Sequence, residues 1–381
     1  MRIIADENIP CVAKAFASLG EVKLLPGRGM SAAQVRGADI LLVRSVTRVD
    51  ARLLAGSSVQ FVGSATIGFD HVDREYLQQQ GIGFSTAPGS NATSAAEYVV
   101  SALLALSAQQ GFDPAGRTVG IIGCGNVGSR VRQKLVALGM DCLVNDPPLQ
   151  AQGGHEDFVD LDAVLQADVI TVHVPYIRQG PWPTHHLVDA AFLARLRPGT
   201  VFINTARGAV TDNLALDRLL ASRSDLSVVL DVWEGEPDIS MSLLEKVRLG
   251  TPHIAGYSLD GKLRGTEMIY HAACAHFGQP IQWLAADDLP AGLSLDLRAL
   301  QETPLLTQLQ AAVFTCYDIR RDDASLRELL ALPAPERPGR FDRLRKEYPV
   351  RREFPQARIT TGDPAGELAS TLSGLGFCVA G

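Results

Sequence analysis

Three residues in the second half of the chain have the types and the order needed to oxidise a hydroxy acid: Arg207, Glu236 and His253. That reaction needs a base for the hydroxyl proton, a cation for the carboxylate and a cofactor to accept a hydride. His253 suits the base, because an imidazole titrates near working pH. Glu236 can bond the second imidazole nitrogen, hold the tautomer and stabilise the imidazolium. Arg207 can grip a carboxylate or the reacting oxygen with its planar fork. Singly, each has a plainer reading: His253 as a turn histidine after Thr-Pro, Glu236 as a solvated acid in Gly-Glu-Pro, Arg207 as a helix-capping cation. Their order downstream of a dinucleotide motif is what favours the chemistry. His185-His186 reads as a surface loop, and His271 and His276 as one helix face. Their spacing completes no metal site, and no metal is expected.

The motif runs from Thr118 to Asp146 as strand, glycine turn, helix and strand. Thr118 to Ile122 is a short apolar run suited to a buried parallel strand. Gly123-Cys124-Gly125-Asn126-Val127-Gly128 follows, and Ser129 to Leu138 has apolar residues at helical spacing. Gly139 stops that helix, and Met140 to Asn145 is a second strand ending at Asp146. Gly123 permits the tight turn, Gly125 lets a pyrophosphate approach the backbone, and Gly128 lets helix and strand pack closely. The helix N-terminus offers free N–H groups to the phosphates. Asp146 lies at the spacing that accepts bonds from a ribose 2′-OH, and its charge favours NAD over NADP.

These groups need a scaffold. The 381 residues suggest two or three domains, and 46% hydrophobic content is ample for their cores. A net charge of −7 argues against nucleic acid as the main partner. The six cysteines are scattered and form no CxxC pair, and several sit within apolar runs, so buried reduced thiols are expected rather than disulfides or a zinc site. The first residues read as a strand rather than a signal peptide, and no apolar run reaches transmembrane length. A cytoplasmic protein with no membrane partner is the expectation.

Before the glycine motif, strand-like stretches at Arg2 to Ala5, Glu21 to Leu25, Ile40 to Val43, Val59 to Gly63 and Ile82 to Ser85 alternate with short helical patterns. This alternation gives a parallel sheet covered on both faces. Asn91 to Ser107 reads as a connecting helix whose Glu97 is a solvated or capping acid. After Asp146 come strands at Val169 to Val174, Thr200 to Asn204 and Ser227 to Val232, with helices at Ala190 to Leu196 and Leu214 to Ser222. Polar residues cluster just beyond the strand ends, where a doubly wound sheet binds ligands. A helix from Gly265 to Phe277 returns to the first domain. Beyond Ala285 the tail is rich in leucine and charge, with a hinge or ordered loop at Pro333 to Pro338 and two plausible strands, Arg358 to Thr361 and Phe377 to Val379. The fold class is α/β: two doubly wound Rossmann-like domains, residues 1–92 with 258–285 for substrate and 93–257 for NAD, plus a smaller C-terminal α+β dimerisation domain at 286–381.

At its motifs the chain resembles the D-isomer-specific 2-hydroxyacid dehydrogenases. The resemblance is carried by Gly123 to Gly128, Asn204-Thr-Ala-Arg-Gly208, Asp231-Val-Trp-Glu-Gly-Glu-Pro237 and Thr251-Pro-His-Ile-Ala-Gly256. A closer likeness to one branch, whose substrate is a small phosphorylated hydroxy acid, rests on Ala5 to Pro10, Leu42 to Thr47, Ala65 to Asp70, His253 to Ser258 and the extra C-terminal domain. The resemblance implies a homodimer and substrate contacts from Ser45, Thr66 and Tyr257. It implies NAD contacts from Asn126, Val127, Asp146, Ala206, Arg207, Gly208, Asp231 and Gly256. Val174 departs from the family, many of whose members place threonine there. Arg207 being assigned to the carboxylate, Arg44 is the leading candidate for the distal phosphate, with pairing to a nearby acid as the alternative. The neighbouring readings are D-3-phosphoglycerate dehydrogenase, whose regulated forms often carry a βαββαβ sensing domain, and a non-catalytic NAD-sensing corepressor.

Overall fold

Apolar runs too short for anything but buried strands build the first of two compact units, Met1–Ala92 with Ser258–Ala291. The computed structural model describes residues 1–153 and 158–380. Strands β1 (Arg2–Asp6), β2 (Glu21–Leu25), β3 (Ile40–Val43), β4 (Phe61–Ser64) and β5 (Gly83–Ser85) form a parallel sheet in the order β2-β1-β3-β4-β5. Every residue of β3 and β4 is buried, as a sheet covered on both faces requires. The chain reverses direction of winding between β1 and β3, and ligand loops gather at such a switch point. The helix expected from Gly265 begins earlier, at Leu259, and runs to His276. Ser258 caps it by accepting the Gly261 N–H at 2.9 Å, and Gly261 serves packing rather than breaking, since a Cβ there would lie 3.1 Å from the Ser90 carbonyl oxygen.

The second unit comprises Thr93–Tyr257 with Gly292–Gly381. Its sheet holds β6 (Thr118–Ile122), β7 (Asp141–Asn145), β8 (Val169–Val172), β9 (Val201–Asn204), β10 (Ser227–Leu230) and β11 (Leu249–Gly250), all parallel, in the order β11-β10-β9-β8-β6-β7. The two-residue β11 and the helix Met241–Lys246 before it carry too little periodicity to be read from sequence. The switch point here lies between β6 and β8. The helix Ala92–Gln110 runs through the core, its Ala96 to Leu106 face clustered with β6 and with Leu309, Val313, Tyr317 and Phe354 of the tail. Glu97 on this helix is fully buried, not solvated or capping, because cations from two other segments meet it there.

The tail has its own three-stranded parallel sheet, β12 (Ser294–Asp296), β13 (Arg358–Thr360) and β14 (Cys378–Ala380), in the order β12-β13-β14. It nevertheless shares one hydrophobic core with the NAD-type sheet. The sequence around Pro333 to Pro338 is a helix start rather than a hinge: a 3-10 turn Ala334–Glu336 runs into the helix Arg337–Lys346, with proline at the first positions where no N–H is needed. The cysteines are all free thiols, but only Cys274 is fully buried and Cys378 is exposed. Among the described residues no helix is long and apolar enough to cross a membrane.

Candidate active site

The glycine turn after β6 has the geometry its spacing implies. Gly123 adopts φ +90°, and a Cβ there would press on the His173 carbonyl 2.9 Å away, at the end of β8. A Cβ on Gly128 would lie 1.9 Å from the Gly123 carbonyl oxygen, so helix and turn can meet only through glycine. Gly125 differs: nothing of the protein lies within 4 Å of its missing Cβ. That is the open backbone a pyrophosphate needs, and the helix Asn126–Ala137 starts there with Asn126 and Val127 in its first turn. The Asp146 carboxylate faces this turn, one oxygen accepting the Cys124 N–H at 2.7 Å and the other the Leu149 N–H at 3.0 Å. These two N–H groups orient it toward the turn. The set fits a dinucleotide. Val174 contributes a side-chain methyl 2.9 Å from the position of a Cβ on Gly123, so it walls the turn from the β8 side.

Glu236 and His253 meet. Nδ1 of His253 lies 2.7 Å from Glu236 Oε2, which leaves Nε2 for a substrate hydroxyl. The other carboxylate oxygen accepts the Trp233 N–H at 2.8 Å. Burial pushes Glu236 up, but His253 and the Trp233 N–H outweigh it and hold the carboxyl below its usual range. Such a carboxylate stays ionised beside the imidazole and fixes its Nδ1–H tautomer. His253 itself sits at φ +59°, a conformation disfavoured for its side chain. Asp231 holds it there: its carbonyl accepts the His253 N–H at 2.8 Å. Its buried carboxylate accepts from the Thr251 hydroxyl and the Ile254 N–H at 2.7 Å each, and from the Ala255 N–H at 3.0 Å. The Tyr98 hydroxyl closes on Thr251 at 2.8 Å. In this structure, then, the Asp231 carboxylate is bound to the loop Thr251 to Gly256; burial raises it while His253 and these donors oppose the rise.

Arg207 follows β9 at a half-buried position, with Nη1 donating to the Ala206 carbonyl at 2.8 Å. Asn204 shapes the loop. Its Oδ1 accepts the Ala206 N–H at 2.9 Å, and its Nδ2 donates to the Arg207 carbonyl at 3.2 Å and to Thr211 Oγ1 at 3.1 Å. A Cβ on Gly208 would lie 2.0 Å from the Trp233 carbonyl oxygen, so this glycine lets the Arg207 loop pass the Glu236 loop. Asn204 and Thr251 stand in the motifs without an assigned part and Tyr98 in none; Thr251 and Tyr98 act on residues distant in the chain, whereas Asn204 acts within its own loop.

In the first unit, Arg44 and Asp6 stand at the ends of β3 and β1, the switch point of that sheet. Arg44 Nε donates to the fully buried Asp6 carboxylate at 3.1 Å. Ser45, next in sequence, is exposed. The Thr66 hydroxyl bonds Ser64 Oγ at 2.9 Å and donates to the Gly68 carbonyl at 3.2 Å. Tyr257, the last residue of the second unit's first segment, packs edge-on against Tyr348 of the tail, centroids 5.7 Å apart.

His186 is not a bare loop residue. Its Nε2 lies 2.7 Å from Glu234 and its Nδ1 4.0 Å from Asp212. One ligand atom from each of the three lies within 4.8 Å of the others. Asp212 and Glu234 are also committed to backbone N–H groups at the start of the helix Asn213–Leu220.

Residues 90–255 match the family described as D-isomer specific 2-hydroxyacid dehydrogenase, NAD binding domain. Residues 294–376 match a domain of unknown function, DUF3410. The chain is 47% identical to the erythronate-4-phosphate dehydrogenase of Chromohalobacter salexigens, covering 100% of this chain and 99% of the relative. It is 48% identical to the enzyme of that name from Escherichia fergusonii, covering 99% of this chain and 98% of the relative. Among solved structures, the TT0316 protein from Thermus thermophilus superimposes with a TM-score of 0.60 at 26% identity, covering 74% of this chain and 98% of that one. NAD+-bound 3-phosphoglycerate dehydrogenase from Entamoeba histolytica gives 0.64 at 23% identity, covering 74% and 99%, a likeness of fold.

Proposed function

The chain belongs to the erythronate-4-phosphate dehydrogenase family, within the D-isomer-specific 2-hydroxyacid dehydrogenases, and we propose that it oxidises 4-phospho-D-erythronate to 2-oxo-3-hydroxy-4-phosphobutanoate in pyridoxal 5′-phosphate biosynthesis. It is an NAD-dependent dehydrogenase. The observation that carries the chemistry is the 2.7 Å contact between His253 Nδ1 and Glu236, which leaves one imidazole nitrogen as a base. His253 Nε2 takes the C2 hydroxyl proton as the C2–O bond becomes a carbonyl. Glu236 stabilises the imidazolium that forms. Arg207 holds the substrate carboxylate and polarises the reacting oxygen. The Gly123 to Gly128 turn and Asp146 would hold NAD, which would supply the acceptor for the C2 hydride. Ala206, Gly208, Asp231 and Gly256 belong to the same cofactor-facing loops in this reading, and Ser45, Thr66, Arg44 and Tyr257 to the substrate.

Identity that runs through the tail supports this substrate over the sibling 3-phosphoglycerate. The parallel β12-β13-β14 sheet also differs from a βαββαβ sensing domain. A cytoplasmic homodimer joined through the tail is part of the same proposal. NADH formation measured with 4-phosphoerythronate, 3-phosphoglycerate and erythronate tests the assignment: kcat/KM should be highest for the first. Preference for 3-phosphoglycerate would move the enzyme to the sibling activity, and no turnover of any would favour a corepressor.

A further inference from the structure

Arg345, on the helix Arg337–Lys346 of the tail, lies close enough to Glu236 for each to favour the other's charge. Its guanidinium carbon is 5.8 Å from the centroid of the Tyr257 ring. Burial disfavours its charge, while Tyr257 and Glu236 favour it. Its Nε is buried without a hydrogen-bond partner, and it forms no ion pair among the described residues. A guanidinium drawn out of water and left unmatched is unfavourable. Other arginines withdrawn from solvent have a carboxylate at ion-pair distance: Arg44 has Asp6, Arg327 has Asp323 at 2.9 Å, and Arg351, whose Nε is likewise unpartnered, has Glu97 at 3.6 Å together with two carbonyls. The Arg345 guanidinium is thus supported by Tyr257 and by the more distant Glu236, with no carboxylate at ion-pair distance among the described residues and its Nε unpartnered.

We propose that Arg345, together with the Tyr257 hydroxyl, binds the distal phosphate of the substrate, which makes the tail a specificity element of the active site; this rests on the phosphorylated substrate proposed above. Chemistry favours Arg345 over Arg44 for this task. The Nε of Arg44 is already committed to a buried carboxylate, whereas the planar fork of Arg345 is uncommitted at Nε and suits a phosphate's oxygens. Arg207, on the β9 loop, remains the group for the opposite, carboxylate end. The surroundings of Arg345 are fixed: Tyr348, against the Tyr257 ring, donates its hydroxyl to Asp322 at 2.9 Å.

The test compares 4-phosphoerythronate with erythronate on the full chain and on Arg345→Ala, Arg345→Gln and Arg345→Lys. Arg345→Ala and Arg345→Gln should lose about 10 to 100-fold in kcat/KM for the phosphorylated acid, the worth of one charge-assisted contact. Erythronate turnover and NAD binding should stay close to wild type, and Arg345→Lys should recover part of the loss. Equal losses on both acids would show that Arg345 supports Glu236 or the fold instead, and an unchanged preference would remove it from the site. If wild type itself shows no preference for the phosphorylated acid, the substrate assignment fails first and this inference with it.

Discussion

Arg351 Nη2 stands 3.6 Å from Glu97 Oε2, with both side chains withdrawn from solvent. Lys134 Nζ reaches the other Glu97 oxygen at 4.0 Å, and that oxygen accepts the Phe354 N–H at 2.7 Å. Arg351 also donates to the Ala255 carbonyl at 3.2 Å and covers the Tyr317 ring at 3.6 Å. The tail is thereby tied to the central helix and to the loop that carries His253. Replacing Arg351 by Met leaves Glu97 without this cation and the Ala255 and Ser94 carbonyls without this donor, and buried acceptors that lose a partner cost about 1–3 kcal/mol. Urea unfolding should show a loss of that size.

Burial pushes Glu97 up to about 8, against the pull of Lys134 and Arg351. Its ordinary value is 4.5, so between those values the folded chain holds a proton that the unfolded chain has lost. This group's contribution is therefore fully present below the lower value and fades as pH rises through the upper one. Melting temperature should fall from about pH 5 to about pH 8, and Glu97→Gln, which keeps an acceptor for Phe354, should flatten that slope. A slope unchanged in Glu97→Gln would assign it to other groups.

Cutting the chain after Ala291 removes Leu309, Val313, Tyr317 and Phe354 from the core they share with the Ala92–Gln110 helix. The truncated protein should be insoluble or aggregate by light scattering. A soluble monomer that still binds NAD would show that the tail serves assembly alone.

His253→Ala should lower kcat by about 10² to 10⁴-fold, the usual worth of a general base. NAD affinity, measured by fluorescence titration, should hardly change. Turnover at the wild-type rate would exclude His253 as the base.

Glu236→Gln removes the charge that stabilises the imidazolium. Glu236→Gln should therefore lower kcat and shift the acid limb of the kcat/KM profile. A limb and a rate that both stay in place would mean that Glu236 does not act through the imidazole.

The glycines of the turn separate folding from cofactor binding. A methyl on Gly128 meets the backbone at 1.9 Å, whereas one on Gly125 meets open space. Gly128→Ala should lower the melting temperature. Gly125→Ala should melt like wild type yet bind NAD more weakly, on the order of ten-fold for one compromised phosphate contact. Equal melting losses in both would mean that Gly125 is needed for folding.

Read alone, the amino-acid order determined what is local. Short apolar runs separated by helical ones specify buried parallel strands, and β2 and β3 fall at Glu21–Leu25 and Ile40–Val43 as the pattern requires. The spacing of Gly123, Gly125, Gly128 and Asp146 specifies a strand, turn and helix, because each demand is met within a few residues. Only the tertiary structure decided matters that depend on partners far away in sequence. Glu97 looks like any helix-surface acid until Lys134 and Arg351 close over it. Asp231 reads as one more strand-end acid until its carboxylate is seen gripping the His253 loop. Arg345 is one of several arginines in a charged tail, and nothing nearby in sequence reveals that it faces Tyr257 and Glu236. Backbone conformation is set by near neighbours, whereas the matching of buried charges is set by whichever segments the core brings together.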